Sequence, residues 1–102
     1  MNMKVTAQNG LAAIHLPGRF DFDARRAFVE ARDTALAAGA REIQVNFSDT
    51  EYIDSSALGM LLVLREKAND HGVSVSLAAC RGAVADIIQI ANFGRLFAIC
   101  AP

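Results

Sequence analysis

The sequence predicts an α/β domain with a mixed sheet of four to five strands and helices mainly on one face. Near the N-terminus, two segments of alternating apolar and polar residues flank Asn9-Gly10, which indicates an antiparallel hairpin. Segments with helical spacing separate the later strands, as in parallel crossover connections. Those strands also alternate, whereas strands covered by helices on both faces are apolar throughout.

The composition is typical of one small domain with an aliphatic core. The chain has 102 residues, 53% of them hydrophobic, and no tryptophan. A chain of this length buries roughly 60–70% of its unfolded surface, so we interpret residues 1–102 as a single domain. The net charge of −1 argues against a nucleic-acid partner. We expect a cytoplasmic location and no membrane association, since neither a signal peptide nor an apolar run of about 20 residues is evident.

The first two strands are predicted at Met3–Gln8 and Ala12–Leu16. The Asn9-Gly10 pair between them suits a type I′ turn, which requires a positive φ at both central positions. His15 falls on the outward-facing set of the second strand and is expected to face solvent. Pro17-Gly18 ends that strand.

The first helix follows Asp21 and Asp23, either of which could cap its N-terminus. Gly39 is the expected left-handed residue at its C-terminal end. Its apolar stripe consists of Ala24, Ala27, Phe28, Ala31, Ala35 and Ala38. The alternating segments Ile43–Phe47 and Val73–Leu77 predict the next two strands.

A central helix is predicted from about Ser56 to Asp70 or His71, with Gly72 as its end. Its N-terminal half is apolar almost all round, which indicates a helix that is largely buried or partly covered by a partner. The residues concerned are Ala57, Leu58, Met60, Leu61, Leu62, Val63 and Leu64.

The C-terminal third of the chain predicts a third helix closed by Gly94 and a short last strand at Leu96–Ile99. The stripe of that helix is Val84, Ile87, Ile88 and Ala91. Cys80 and Cys100 have neither C-x-x-C nor metal-ligand spacing, so we interpret them as reduced, partly buried thiols.

The segment Tyr52–Gly59 places a carboxylate and two hydroxyls at the transition from a strand into the central helix. Asp and Ser side chains cap helix N-termini by accepting from first-turn N–H groups. The same helix end favours negative charge. Two interpretations are open from these residues: a simple cap, or an exposed hydroxyl able to carry a phosphate.

Catalysis by Ser55 would require a base within reach. A helix from Ser56 to His71 is about 20 Å long, so only His15 could serve if it lay beside the turn. The chain has no nucleophile elbow, phosphate-binding glycine loop or zinc-ligand spacing. We therefore expect no enzymatic activity, no cofactor and no metal.

The segment Asp54–Gly59, followed by an aliphatic helix, resembles the phosphorylation-site signature of the STAS family and especially of its single-domain anti-sigma factor antagonists. Gly18–Asp21 resembles the family's Gly-x-x-Asp motif, and Val84–Ile88 with Phe93–Phe97 resembles its last helix and tail. Ala57 stands where many members carry glycine.

The resemblance implies a partner switch and a STAS-like fold. The unphosphorylated protein would bind an anti-sigma factor serine kinase and free its sigma factor or another downstream target. Phosphorylation of Ser55, with Ser56 as the alternative acceptor, would end that binding, and a metal-dependent serine phosphatase would restore it. The expected partner surface comprises Asp21, Asp23, Asp54, Ser55, Ser56 and Met60.

Three further points stay open at this stage. Met60 is either an exposed interface residue or a core filler. A monomer or weak dimer is expected. The alternative function is a STAS subunit of a larger complex, such as a lipid-transport ATPase or a stress-signalling assembly, in which Ser55 is structural.

Overall fold

The computed structural model describes residues 3–100, which form a main sheet of five strands in the order β1-β2-β4-β6-β7. The strands are β1 (Lys4–Gln8), β2 (Leu11–His15), β3 (Arg19–Phe20), β4 (Glu42–Asn46), β5 (Tyr52–Ile53), β6 (Ser74–Ala78) and β7 (Ala98–Ile99). β1 and β2 are antiparallel, while β2-β4, β4-β6 and β6-β7 are parallel pairs. The predicted mixed sheet, with an N-terminal hairpin followed by parallel crossovers, is confirmed.

The hairpin turn has the predicted geometry. Asn9 and Gly10 both have positive φ, at 55° and 85°, and Gln8 pairs with Leu11 across a two-residue loop. Nε2 of His15 lies 3.3 Å from Oγ1 of Thr6 on β1, two residues after Lys4, which is the direct pairing partner of His15. This hydrogen bond holds the imidazole ring of β2 against the side chain of the neighbouring strand β1.

All three helices cover the same face of the sheet. They are α1 (Arg25–Ala37), α2 (Ser55–Asp70) and α3 (Gly82–Ile90), and their buried residues join the inward strand residues in one hydrophobic cluster. Ala13 and Ala78, on the opposite face, lie outside this cluster. The predicted one-sided arrangement is confirmed. Ser76 on the open face is nevertheless buried, since its hydroxyl donates to the Glu42 carboxylate at 2.6 Å.

The C-terminal elements differ from the prediction in two places. Asn92, with φ of 60°, is the left-handed residue after α3, whereas Gly94 lies within a short 3₁₀ turn. The last strand contains only Ala98–Ile99, because Phe97 turns inward and is buried in the core. Asn tolerates the left-handed conformation, which is why a residue other than glycine ends the helix.

The sequence did not predict the second, two-stranded sheet that β3 and β5 form. In this parallel pair Arg19 lies opposite Tyr52 and Phe20 opposite Ile53. The buried Thr50 hydroxyl donates to the carbonyl of Pro17 at 2.8 Å and ties the two entering segments together. Strands of two residues are too short to show a period, so no alternation could reveal them.

Within residues 3–100, no helix has both the length and the hydropathy that crossing a bilayer requires.

Candidate functional site

The β3-β5 pair brings two distant segments of the chain side by side. Because the two strands are parallel, the residues after them leave the pair in the same direction. Asp21 and Phe22 therefore run beside Asp54 and Ser55. A hydrogen bond from the Phe22 backbone N–H to Oδ2 of Asp54, at 3.3 Å, joins the two segments directly.

Asp54 is the N-terminal cap of α2. Its backbone is extended, with φ of −119°, and Oδ1 accepts from the N–H of Ala57 at 3.0 Å. Since Oδ2 accepts from Phe22, one carboxylate serves both the helix end and the neighbouring segment. The capping role is confirmed, and α2 begins at Ser55, one residue before the predicted start.

Ser55 is exposed at the first position of α2, and Ser56 beside it is half-buried. Among residues 3–100, the Ser55 hydroxyl has no hydrogen-bond partner. First-turn N–H groups carry partial positive charge, so a negative group on this hydroxyl would lie in a favourable helix field. The hydroxyl is thus exposed, and no hydrogen bond within residues 3–100 depends on it.

Asp21 and Asp23 follow β3 on the adjacent segment. Asp21 caps the 3₁₀ turn Phe22–Ala24, because its Oδ1 accepts from the Asp23 N–H at 3.1 Å. Its other oxygen lies 3.5 Å from Nε of Arg19. Neither aspartate caps α1 as predicted, because the 3₁₀ turn intervenes and the N-cap of α1 is Ala24, which has no side-chain acceptor.

Two arginines flank the site by stacking on exposed rings. The Arg19 guanidinium lies 4.2 Å from the ring centroid of Tyr52, and that of Arg25 lies 5.4 Å from the centroid of Phe22. Cations held over rings at these distances contribute roughly 0.5–1 kcal/mol at exposed sites. The rim of the site therefore carries both carboxylates and guanidinium groups.

Met60 is not the exposed first-turn residue that the sequence analysis allowed. Its side chain is 8% exposed and belongs to the hydrophobic core, because it falls on the face of α2 that packs on the sheet. The exposed positions on the Ser55 side of the helix are Gly59, Leu62 and Val63, four, seven and eight residues further on. Leu62 and Val63 retain 38% and 41% exposure.

Phe22 is a candidate site residue that sequence reasoning missed. Its ring is 59% exposed, although its backbone is bound to Asp54. An aromatic residue between two aspartates in a loop was the available signal, because a core phenylalanine rarely stands between two charges.

Neither histidine serves Ser55. His15 alternates with the core residue Ile14, so it lies on the sheet face opposite to the helices and bonds Thr6. His71 caps the far end of α2, where its Nδ1 lies 2.8 Å from the Lys67 carbonyl. The geometry therefore does not support a serine–histidine nucleophile.

Comparison with known proteins agrees with this architecture. The family model described as "Mlab, STAS domain" matches residues 3–98. The STAS-domain containing protein PA14_20770 of Pseudomonas aeruginosa is 43% identical over 86 residues, which cover 84% of each chain.

Two solved structures show the same fold. An anti-sigma factor antagonist from Mycobacterium paratuberculosis superposes with a TM-score of 0.84 at 18% identity, covering 97% of this chain and 84% of that one. The Bacillus cell fate determinant SpoIIAA in its phosphorylated form gives a TM-score of 0.72 at 18% identity, covering 95% and 89%. With a family model that spans nearly the whole chain and a relative at 43% identity, the chain belongs to the STAS domain family.

Proposed function

We propose that this protein is a phosphorylation-controlled partner-switching regulator without catalysis of its own. The observation that carries the proposal is the Ser55 hydroxyl, which is exposed, makes no hydrogen bond within residues 3–100 and opens a helix. A kinase can reach such a hydroxyl, and the domain loses no contact when it is modified. In this proposal Ser55 is the acceptor and Ser56, half-buried, is the alternative.

Phosphorylation of Ser55 would change the fold little. A phosphate adds a charge of about −1.5 to −2 at pH 7. The helix N-terminus favours that charge by about 0.3–1 kcal/mol at an exposed site, while the carboxylates of Asp54 and Asp21 oppose it. The helix end and the carboxylates act on the phosphate in opposite directions, so we expect its main effect on binding.

The proposed partner surface surrounds Ser55 and is apolar on one side. It comprises the exposed side chains Phe22, Leu62 and Val63 with Gly59, the carboxylates of Asp21 and Asp23 on the segment after β3, and Asp54 and Ser56 at the N-terminal end of α2. A partner that covers the apolar side chains also removes water from Ser55. A new dianion there costs several kcal/mol unless the partner neutralises it, and each 1.4 kcal/mol is about tenfold in affinity.

The proposed partners are an anti-sigma factor serine kinase, which binds and phosphorylates the protein, and a metal-dependent serine phosphatase, which reverses the modification. Supporting this choice, the solved neighbours include an anti-sigma factor antagonist and a phosphorylated form of SpoIIAA. The circuit belongs in the cytoplasm, where ATP-dependent kinases act. Its output is release of a sigma factor or of another target that the kinase holds.

The test compares baits that differ only at the first turn of α2. Ser55→Ala and Ser55→Asp are immobilised and exposed to native lysate, and a retained serine kinase is identified by mass spectrometry and purified. We expect Ser55→Ala to bind the purified kinase at least tenfold more tightly than Ser55→Asp. With ATP and Mg²⁺, the wild-type chain should gain one phosphoryl group, mapped to Ser55.

Ser56→Ala and Ser56→Asp are the matched controls, since they carry the same changes one residue along. Phosphoryl transfer to Ser55→Ala but not to Ser56→Ala would move the acceptor to Ser56. Equal binding of the kinase by Ser55→Ala and Ser55→Asp would contradict the switch.

A second candidate is a STAS subunit of a larger assembly, such as a lipid-transport ATPase, in which Ser55 is structural. The family model that matches residues 3–98 is described as "Mlab, STAS domain" and not as an anti-sigma factor antagonist, so a STAS role outside sigma-factor control also fits it. The absence of a hydrogen bond from the Ser55 hydroxyl within residues 3–100 opposes it. Retention of the same multi-subunit assembly by both Ser55 variants would establish this candidate over the first.

A further inference from the structure

Two cysteines border one cavity at the β7 edge of the sheet, and Ser55 does not line it. The cavity has a volume of about 540 Å³ and lies between α3 and β7. Cys80 follows β6 and Cys100 follows β7, the edge strand beside it. The other lining residues are Ala85, Ile88, Gln89, Asn92, Gly94, Arg95 and Ile99.

The backbone holds the two cysteine-bearing segments next to each other. Leu77 pairs with Ile99 in the parallel β6-β7 ladder, and the Cys100 N–H donates to the Leu77 carbonyl at 2.8 Å. Ala79, with φ of 62°, bends the chain between β6 and Cys80. β7 is paired over only two residues, so the segment that carries Cys100 can shift with the loss of few hydrogen bonds.

The environments of the two thiols differ. Cys80 is 6% exposed, and burial together with the nearby Cys100 raises the pKa of its thiol to about 11. Cys100 is only half-buried and reaches solvent. A thiolate is the reactive form of cysteine, so Cys100 is the thiol that an oxidant meets first and Cys80 is the protected one.

We propose that Cys80 and Cys100 form an intramolecular disulfide when the protein meets a peroxide. The Cys100 thiolate attacks hydrogen peroxide, the O–O bond breaks, and with one proton the products are a sulfenic acid and water. The Cys80 sulfur then attacks the Cys100 sulfur; an S–S bond forms, the S–O bond breaks, and the Cys80 proton leaves with the hydroxyl as a second water. The thiols are oxidised, and peroxide is reduced to water.

The bond would close a loop of about 20 residues that contains α3 and the turn after it. Loop closure of this size stabilises a fold by about 3 kcal/mol, chiefly by restricting the unfolded chain, and for a domain of this length that raises Tm by roughly 10–20 °C. In a reducing compartment such bonds are transient, so the resting protein keeps both thiols and the link forms only under oxidant.

The experiment uses the purified full chain, treated with hydrogen peroxide, alkylated and digested with trypsin without reductant. Cleavage after Lys67, Arg81 and Arg95 separates the cysteines into peptides 68–81 and 96–102. We expect mass spectrometry to find these two peptides joined, with the loss of two hydrogen atoms and of both titratable thiols. Reductant should separate them and reverse the rise in Tm.

Cys80→Ser and Cys100→Ser are the matched controls. Cys80→Ser should accumulate sulfenic acid on Cys100, whereas Cys100→Ser should react with peroxide much more slowly than wild type. A wild-type product that carries sulfinic acid on Cys100 without a linked peptide, or that forms only Cys100–Cys100 dimers, would overturn the proposal. All these readouts are independent of Ser55 and of any kinase.

Discussion

Helices α1 and α2 lie on the same sheet face but present different outer surfaces. α1 buries Phe28, Ala31 and Ala35 and turns charged side chains outward, among them Arg26, Glu30 and Asp33. The first half of α2 turns Ser55, Gly59, Leu62 and Val63 outward. Solvent alone accounts for the surface of α1, whereas the apolar stripe on α2 is typical of a surface that another protein covers.

The difference is confined to the end of α2 that carries Ser55. Beyond Val63 the exposed residues are Glu66, Lys67, Asn69 and Asp70, a polar face like that of α1. A fold requirement would not change in the middle of one helix packed on one sheet. The contrast therefore supports a partner surface centred on the N-terminal turns of α2.

The largest expected effect on stability distinguishes a residue on the buried face of α2 from its neighbour on the exposed face. Leu61 is fully buried and its neighbour Leu62 is 38% exposed. Leu61→Ala should lower the free energy of unfolding by about 2–5 kcal/mol, since it leaves a cavity. Leu62→Ala should change it by no more than about 0.5 kcal/mol. Urea unfolding of the two variants measures both values.

In kinase binding the order of the two variants should be reversed, with the larger effect for Leu62→Ala and the smaller for Leu61→Ala. Leu62→Ala is expected to weaken kinase binding by about tenfold, because an anchoring apolar contact contributes more than about 1 kcal/mol. Leu61→Ala, measured where it is folded, should bind within about threefold of wild type, since its side chain touches no partner. If Leu62→Ala binds the kinase with wild-type affinity, the apolar stripe is not part of the interface.

An intermediate loss of stability is expected when the Asp54 carboxylate, which joins the segment after β3 to the start of α2, is removed. Asp54→Ala should cost about 1–2 kcal/mol of stability, because the Phe22 N–H loses its acceptor and the Ala57 N–H keeps only the backbone carbonyl of residue 54. Asp54→Asn should retain most of the stability, since Asn also caps helices. Asp23→Ala, on an exposed residue whose carboxylate accepts no hydrogen bond from residues 3–100, is the control and should fall within about 0.5 kcal/mol. If thermal unfolding shows the same loss of stability for Asp23→Ala as for Asp54→Ala, the capping role of Asp54 is refuted.

A smaller effect on stability, of the opposite sign, is expected at Gly59. Glycine inside a helix is about 0.5–1 kcal/mol less stable than alanine, and an added Cβ at Gly59 would meet nothing within 4 Å. Gly59→Ala should therefore stabilise the isolated protein. If the partner approaches the helix closely beside Ser55, the same methyl group should weaken kinase binding.

Thr34→Ala, on the exposed face of α1, is the control for this prediction because it also improves helix propensity. Its kinase affinity should equal that of wild type. A Gly59→Ala variant that gains stability and keeps full affinity would place the partner elsewhere on the surface.

Much of the site was predictable because its signals are local. Capping by Asp54, the positive φ at Asn9 and Gly10, and the start of α2 within one residue depend on neighbours in the chain. For Met60 the sequence left two alternatives open, and the structure supports the core one. In a segment that is apolar on all sides, periodicity cannot tell which side meets the sheet.

Local pattern and turn chemistry in the sequence determined the mixed sheet, the hairpin, the order of the helices and the serine at the start of α2. Only the tertiary structure decided that β3 pairs with β5, that Phe22 lies beside Asp54 and that Cys80 and Cys100 border one cavity. Each of these joins residues at least 20 positions apart in the chain, and contacts of that kind depend on packing that no local periodicity encodes.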